Sequence, residues 1–156
     1  ERSDPFHRMI AGILQKTCEM TAFLNPSENS YARFGSYKAP VYVSWSRENR
    51  SQLVRIPAAE GEYRRAELRS PDPEANPYLA FALMIYAGLY GLENRLDLPE
   101  PADINLYTAD EKMLTNFCRL PKDLAAARAE AFSSDFIRKH IPAAVLEVYC
   151  GKKSDR

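Results

Sequence analysis

An acid set between arginines is the first chemistry this chain offers. From Arg65 to Arg69 the residues alternate, so a strand there would put Arg65, Glu67 and Arg69 on one face and Ala66 and Leu68 on the other. A guanidinium presents a planar fork that grips carboxylate or phosphate oxygens two at a time. Several of them converging beside one carboxylate describe a site for an anionic substrate, with the acid available to a metal. Spacing alone leaves a second account open, a structural ion-pair ladder in which Glu67 is satisfied by its own neighbours. Arg55 extends the set, because it interrupts an otherwise apolar segment where an arginine is costly unless it meets an anion or water. Arg33, Tyr37 and Lys38 stand beside Gly35 and Pro40 in a loop able to close over a ligand.

Such a site needs a sheet to aim the arginines and helices to hold the sheet. Ser3-Asp4-Pro5 offers a cap and a first-turn proline, and Phe6, Met9, Ile10, Ile13, Leu14 and Thr17 then recur at helical spacing up to Asn25-Pro26. His7 lies beside that stripe with no second ligand type one turn on, which makes it a structural residue. A loop is expected from Ser27 to Pro40. The alternation Val41, Val43, Trp45 predicts a strand, Arg47 to Arg50 a turn, and Gln52 to Ile56 the return strand, ended by Pro57. Two prolines in Ser70-Pro71-Asp72-Pro73 take the chain out of the sheet. Asn76-Pro77 starts a helix whose residues from Tyr78 to Leu92 are apolar on nearly every face, so it is expected to be buried on most sides. After a proline-interrupted connection from Glu93 to Asp110, helices are expected from Leu120-Pro121 to about Phe132, after Ser134, and from Ile141-Pro142 to near Gly151. The fold class is therefore α+β, a small antiparallel sheet around Val43, Val54 and Glu67 covered by helices.

With 156 residues, 46% of them apolar, the chain has the core of one domain. Its 21 basic and 21 acidic residues balance, so the arginine cluster arises without the overall positive charge that nucleic-acid binding calls for. Cys18, Cys118 and Cys150 make no Cys-x-x-Cys pair, indicating neither a zinc site nor a disulfide framework and favouring a reducing compartment. No charged-then-apolar leader opens the chain, and its longest apolar run, Tyr78 to Tyr90, is too short for a bilayer. A soluble, cytoplasmic protein with no membrane partner is expected.

Several longer segments, in order, carry a resemblance. Asn25-Pro26, Asn29-Ser30-Tyr31-x-Arg33, Tyr37-x-Ala39-Pro40, Ser44-Trp45-Ser46, Asn49-Arg50-Ser51 and Arg55-Ile56-Pro57 precede Glu67-x-Arg69-Ser70-Pro71-Asp72-Pro73-x-Ala75-Asn76-Pro77-Tyr78-Leu79-Ala80. Together they resemble the C-terminal part of the glutamine synthetase catalytic domain, over roughly Phe6 to Asn105. In that family ATP phosphorylates the side-chain carboxylate of glutamate, and ammonia then displaces phosphate to give glutamine. The resemblance implies that Arg33 and Arg69 hold the amino-acid substrate. It implies that Arg50 and Arg55 contact the nucleotide phosphates and the transferring phosphoryl group, with Arg50 catalytic, that Arg65 is a further phosphate-side arginine, and that Glu67 binds a divalent metal, Mg2+ or Mn2+. A homo-oligomeric parent enzyme goes with the family.

Two departures qualify the match. The family loop usually reads Gly-Tyr-Glu-Ala-Pro, its glutamate closing the site and helping to deprotonate ammonium, whereas this chain has Ser36-Tyr37-Lys38-Ala39-Pro40. Either another group accepts the proton, or the amine is larger than ammonia. The family's earlier segments, with most of its metal-binding acids, have no counterpart here, so residues 1–156 are expected to be a C-terminal piece that is inactive alone. A single carboxylate cannot hold a cluster of divalent ions. Tyr107, in Asn105-Leu106-Tyr107, lies where some bacterial members are adenylylated, although only part of that motif matches. A non-catalytic anion-binding module is the alternative from a different class.

Overall fold

The structure is a computed structural model that describes residues 4–36, 39–59 and 61–151. Its longest element, α1 (Pro5–Leu24), starts where Asp4 accepts a hydrogen bond from the His7 amide at 2.8 Å and Pro5 fills a position that needs no donor. One long helix serves two cores. The N-terminal half of α1 buries Ile10, Ala11 and Leu14 against Trp45, Leu53, Val54, Leu98 and Leu120. Its C-terminal half buries Met20, Phe23 and Leu24 against α3 (Pro77–Glu93), α5 (Leu124–Ser133), α6 (Asp135–His140) and α7 (Ala143–Cys150) through Leu83, Ala87, Ala127, Ile137 and Leu146.

α1 and α3 meet backbone to backbone. A methyl group added at Gly12 would collide with the Ala87 carbonyl oxygen and stand 2.6 Å from the Gly91 nitrogen, and one added at Gly91 would collide with the Arg8 carbonyl oxygen. α3 is launched by Asn76, whose side chain accepts from the amides of Tyr78 and Leu79 at 3.0 and 3.4 Å ahead of Pro77. The expectation that this helix is buried on most sides needs correction. Tyr78, Phe81 and Ile85 are 84%, 64% and 57% exposed, because α1 covers only the opposite face. An all-round apolar pattern records how many faces the residues could bury, not how many have a partner in the chain.

Three two-residue strands, β1 (Trp45–Ser46), β2 (Val54–Arg55) and β3 (Glu67–Leu68), form a sheet in the order β1-β2-β3. β2 and β3 are antiparallel, with Val54 opposite Leu68 and Arg55 opposite Glu67. β1 and β2 run parallel, so the sheet is mixed and not purely antiparallel as the sequence suggested. The reason lies between them. Residues 47–53 form no hairpin turn; Ser46 and Asn49 bond each other, and the Asn49 side chain reaches away, its Nδ2 donating to the Ile104 carbonyl at 2.8 Å, which carries the chain round before β2 begins.

Two further differences are local. The expected loop after Pro26 contains a short helix, α2 (Glu28–Ala32), closed by a reciprocal capping box between Ser27 and Ser30. A single turn, α4 (Glu111–Leu114), precedes the last helices. The helix expected from Leu120-Pro121 starts later, at Leu124, because Asp123 supplies the cap by accepting from the Ala126 amide at 2.7 Å. Ser134 caps α6 as expected, accepting from the Ile137 amide at 3.0 Å. Among the described residues, no helix is long and apolar enough to cross a membrane.

Candidate functional site

The β2–β3 register is what builds the site. Setting Arg55 opposite Glu67 gives a two-point ion pair, with Arg55 Nε donating to Glu67 Oε2 at 3.0 Å and Nη2 to Oε1 at 2.7 Å. Arg65 follows at 4.0 Å from Oε1. Arg69 begins the exit from β3, its amide donating to the Leu53 carbonyl at 2.9 Å and its Nη1 lying 3.5 Å from the Gln52 carbonyl. Glu67 is half-buried at the sheet edge and is not enclosed in the interior. The Arg55 fork holds its carboxyl below the ordinary carboxylate value, and the charges of Arg65 and Arg69 add to the effect against the opposing pull of burial.

A pH test follows from that depression. A carboxyl whose folded pKa is lowered stabilises the fold above its unfolded value, and the contribution is lost as pH falls through the folded value. Glu67→Gln is therefore expected to be less stable than the parent at neutral pH, with the gap closing as pH drops below 4.5, the carboxyl's ordinary value. Urea melts of both proteins at about pH 7 and about pH 3 measure this. A gap of constant size across that range would mean that Arg55 does not hold Glu67.

Arg33 is placed by helix ends. It follows α2, and its Nη2 donates to the Asn25 side chain at 2.6 Å and to the Ser70 carbonyl at 2.7 Å, while Nε pairs with Asp72 at 3.0 Å. Asn25 closes α1 and is fully buried, and the Asp72 amide donates to the last α1 residue, Leu24, at 2.8 Å. The loop that carries Ser70 directly after Arg69 is thus pinned to the end of α1. Arg33 grips the loop that Arg69 directly precedes. Arg50 is exposed on the turn before β2. Lys38 and Tyr37 lie outside the described residues.

The sequence reading missed the polar frame beneath these arginines. Asn49 Oδ1 accepts from both the amide and the hydroxyl of Ser51 at 2.9 Å, and the Ile104 carbonyl receives Asn49 Nδ2 at 2.8 Å and Gln52 Nε2 at 2.7 Å. Ser51 Oγ in turn accepts from the Leu106 amide at 2.9 Å. These bonds clamp the segment 104–107 to the turn that carries Arg50. They bring Tyr107 within the field of Arg69, although burial is the larger influence and raises the phenol's pKa. A hollow of about 200 Å³ between Phe34, Gly35, Ser51, Tyr107 and Arg119 lies beside it. The only signal for this frame was the run Asn49-Arg50-Ser51-Gln52 itself, four polar residues between strands, two of them (Ser51 and Gln52) fully buried.

A metal does not fit these residues by themselves. Among the described residues, no group of three or more His, Cys, Asp or Glu side chains could hold one, and both Glu67 oxygens are occupied by Arg55. What the arrangement can do is bind anions: an edge of three guanidiniums around one acid, next to a loop braced by a fourth.

Comparison with known proteins agrees with the motifs. The family model described as glutamine synthetase, catalytic domain, matches residues 1–155. A glutamine synthetase of Methanosarcina mazei is 45% identical over 150 residues, covering 94% of this chain and 34% of that protein. One from Methanocaldococcus jannaschii is 41% identical over 143 residues, covering 90% of this chain and 32% of that protein. A solved structure titled as a GmaS/ADP complex superposes with a TM-score of 0.79 at 32% identity, over 90% of this chain and 33% of that chain. The chain thus spans about a third of the length of these relatives.

Proposed function

The chain belongs to the glutamine synthetase family, and we propose that it is the C-terminal part of a catalytic domain whose complete form is an ATP-dependent ligase making glutamine from glutamate and ammonia. The observation that carries this reading is the match to the glutamine synthetase catalytic domain over residues 1–155, and the gathering of Arg55, Arg65 and Arg69 around Glu67 at one sheet edge supports it. In the first step the γ-phosphoryl group of ATP passes to the side-chain carboxylate of glutamate, giving γ-glutamyl phosphate and ADP. In the second, ammonia attacks that carbonyl carbon and phosphate leaves. Both steps concentrate negative charge on phosphoryl oxygens, and fixed guanidiniums stabilise it without having to reorganise as it develops.

Arg33 and Arg69 hold the carboxylates of glutamate in this scheme. Arg50, Arg55 and Arg65 face the phosphates, with Arg50 at the transferring group. Glu67, released from Arg55 when phosphate takes the guanidinium, is the one acid of this site open to a divalent ion such as Mg2+. The remaining metal ligands have to come from outside these residues, and the chain alone is therefore proposed to be inactive. Lys38, in place of the family glutamate, favours a second reading in which the amine is larger than ammonia.

One experiment tests both parts. The chain is assayed with glutamate, ATP, ammonium and magnesium, alone and as the end of a continuous polypeptide of the relatives' length. No glutamine is expected from the chain alone. In the long protein, Arg69→Ala is expected to lower kcat/KM for glutamate by on the order of 2 kcal/mol through loss of a charge-assisted bond. Turnover by the chain alone, or an unchanged glutamate dependence, would overturn the respective assignment. Repeating the assay across amines decides the second reading, which fails if ammonium is preferred to every larger amine.

A further inference from the structure

A pair of cysteines joins α1 to the segment before α5, and the ligase reading makes no use of it. Cys18 and Cys118 are 100 residues apart in sequence, yet their sulfurs stand 3.9 Å apart. Both thiols are also aimed at the same acceptor, the Arg119 carbonyl, at 3.7 and 3.8 Å. Cys118 is exposed and Cys18 partly buried, and both line a solvent-open hollow of about 320 Å³ with Leu14, Val43 and Pro99. The third cysteine, Cys150, is buried at the end of α7 in the other core. An accessible sulfur poised beside a second, resolving sulfur is the arrangement that thiol–disulfide exchange uses.

We propose that Cys18 and Cys118 form a reversible modification site at which a small-molecule disulfide of the glutathione type is exchanged for an intramolecular disulfide. The Cys118 thiol gives its proton to water and, as the thiolate, attacks one sulfur of glutathione disulfide; the sulfur–sulfur bond breaks, and one glutathione leaves as its thiolate and takes up a proton from water. Cys18 then gives up its proton to water and attacks the Cys118 sulfur, and the second glutathione leaves. Two protein thiols lose two electrons, and the small disulfide is reduced to two thiols. The order follows from the surroundings. Cys118 is exposed and meets a solvent-borne disulfide first, whereas Cys18 is sheltered, and burial, followed by the neighbouring Cys118 and the acids Glu130 and Glu19, pushes its thiol up to about 12. Closure requires the sulfurs to move from 3.9 Å to about 2.05 Å. The bond would also fix a leg of the sheet, since the Cys118 carbonyl accepts from the Val43 amide and the Leu120 amide donates to Val41, each at 2.8 Å.

The test equilibrates the chain with mixtures of reduced and oxidised glutathione, quenches with acid, and maps the digested protein by mass spectrometry. The expected product is about 2 Da lighter than the reduced chain and yields the Cys18 and Cys118 peptides joined. It melts at a higher temperature than the reduced chain, because a cross-link across so long a loop restricts the unfolded state. Cys150→Ser is expected to form the same bond, and Cys18→Ser to keep glutathione on Cys118. A lasting glutathione adduct on Cys118 in the parent chain, a bond that includes Cys150, or dimers joined through Cys118 would each overturn the proposal. Should Cys18→Ser fail to fold, the peptide map of the parent and of Cys150→Ser decides on its own.

Discussion

Gly12→Ala is expected to cost on the order of 3 kcal/mol or more and to leave little cooperative unfolding, although alanine is the better helix former by about 1 kcal/mol. The added carbon would meet the Ala87 carbonyl oxygen and lie 2.6 Å from the Gly91 nitrogen and 2.8 Å from its Cα. All three are backbone atoms, so no change of rotamer relieves the clash and the two helices have to separate. Separation uncovers both cores, since α1 is shared between them, and it shifts Asn25, through which Arg33 is held. Gly91→Ala carries the same expectation from the other side, against the Arg8 carbonyl. Gly88→Ala is the control. Its new methyl would touch only the flexible Met9 side chain, at 3.0 Å from Cε, so propensity and crowding nearly offset. Urea melts of the three variants supply the comparison. If Gly12→Ala were as stable as Gly88→Ala, α1 and α3 would not be in backbone contact.

Which parts of this were readable in advance follows from the range of the interactions. The alternation through Arg65, Glu67 and Arg69 and the misfit of Arg55 in an apolar strand are local signals, and the Arg55–Glu67 pair satisfies both at once. Caps at Asp4, Asn76 and Ser134 were equally visible, because a cap is written in three or four consecutive residues. The direction of β1 relative to β2 was not. It depends on Asn49 and Gln52 finding the Ile104 carbonyl, 55 and 52 residues away, and a polar turn looks the same whether it closes a hairpin or an open loop. The open face of α3 was hidden for a similar reason, since Tyr78, Phe81 and Ile85 would read identically under a partner. For the site, residue types pointed to anion chemistry, while the motifs alone separated a ligase from an ion-pair ladder. The observed Arg55–Glu67 pair is compatible with both, so the assignment to phosphate binding rests on the family.

Arg33 carries the second large effect, and there stability and substrate binding have to be told apart. Arg33→Ala is expected to destabilise the chain by on the order of 3 kcal/mol, because truncating one partner leaves the other charge unpaired in a sheltered place. Asp72 would lose its partner at 3.0 Å with its side chain only 9% exposed, and Asn25 and the Ser70 carbonyl would each lose a donor. Adding Asp72→Asn removes the stranded charge, so the double variant is expected to be more stable than Arg33→Ala alone. Arg33→Lys keeps a charge but not the fork that reaches three acceptors, and is expected to fall between parent and alanine variant. A double-mutant cycle from urea melts measures the coupling. If the effects of Arg33→Ala and Asp72→Asn simply add, the two side chains do not interact and the loop behind Arg69 is held by something else. If they couple as expected, any glutamate-binding defect of Arg33→Ala in the long protein has to be read against Arg33→Lys, which perturbs the loop less while still removing the bidentate grip.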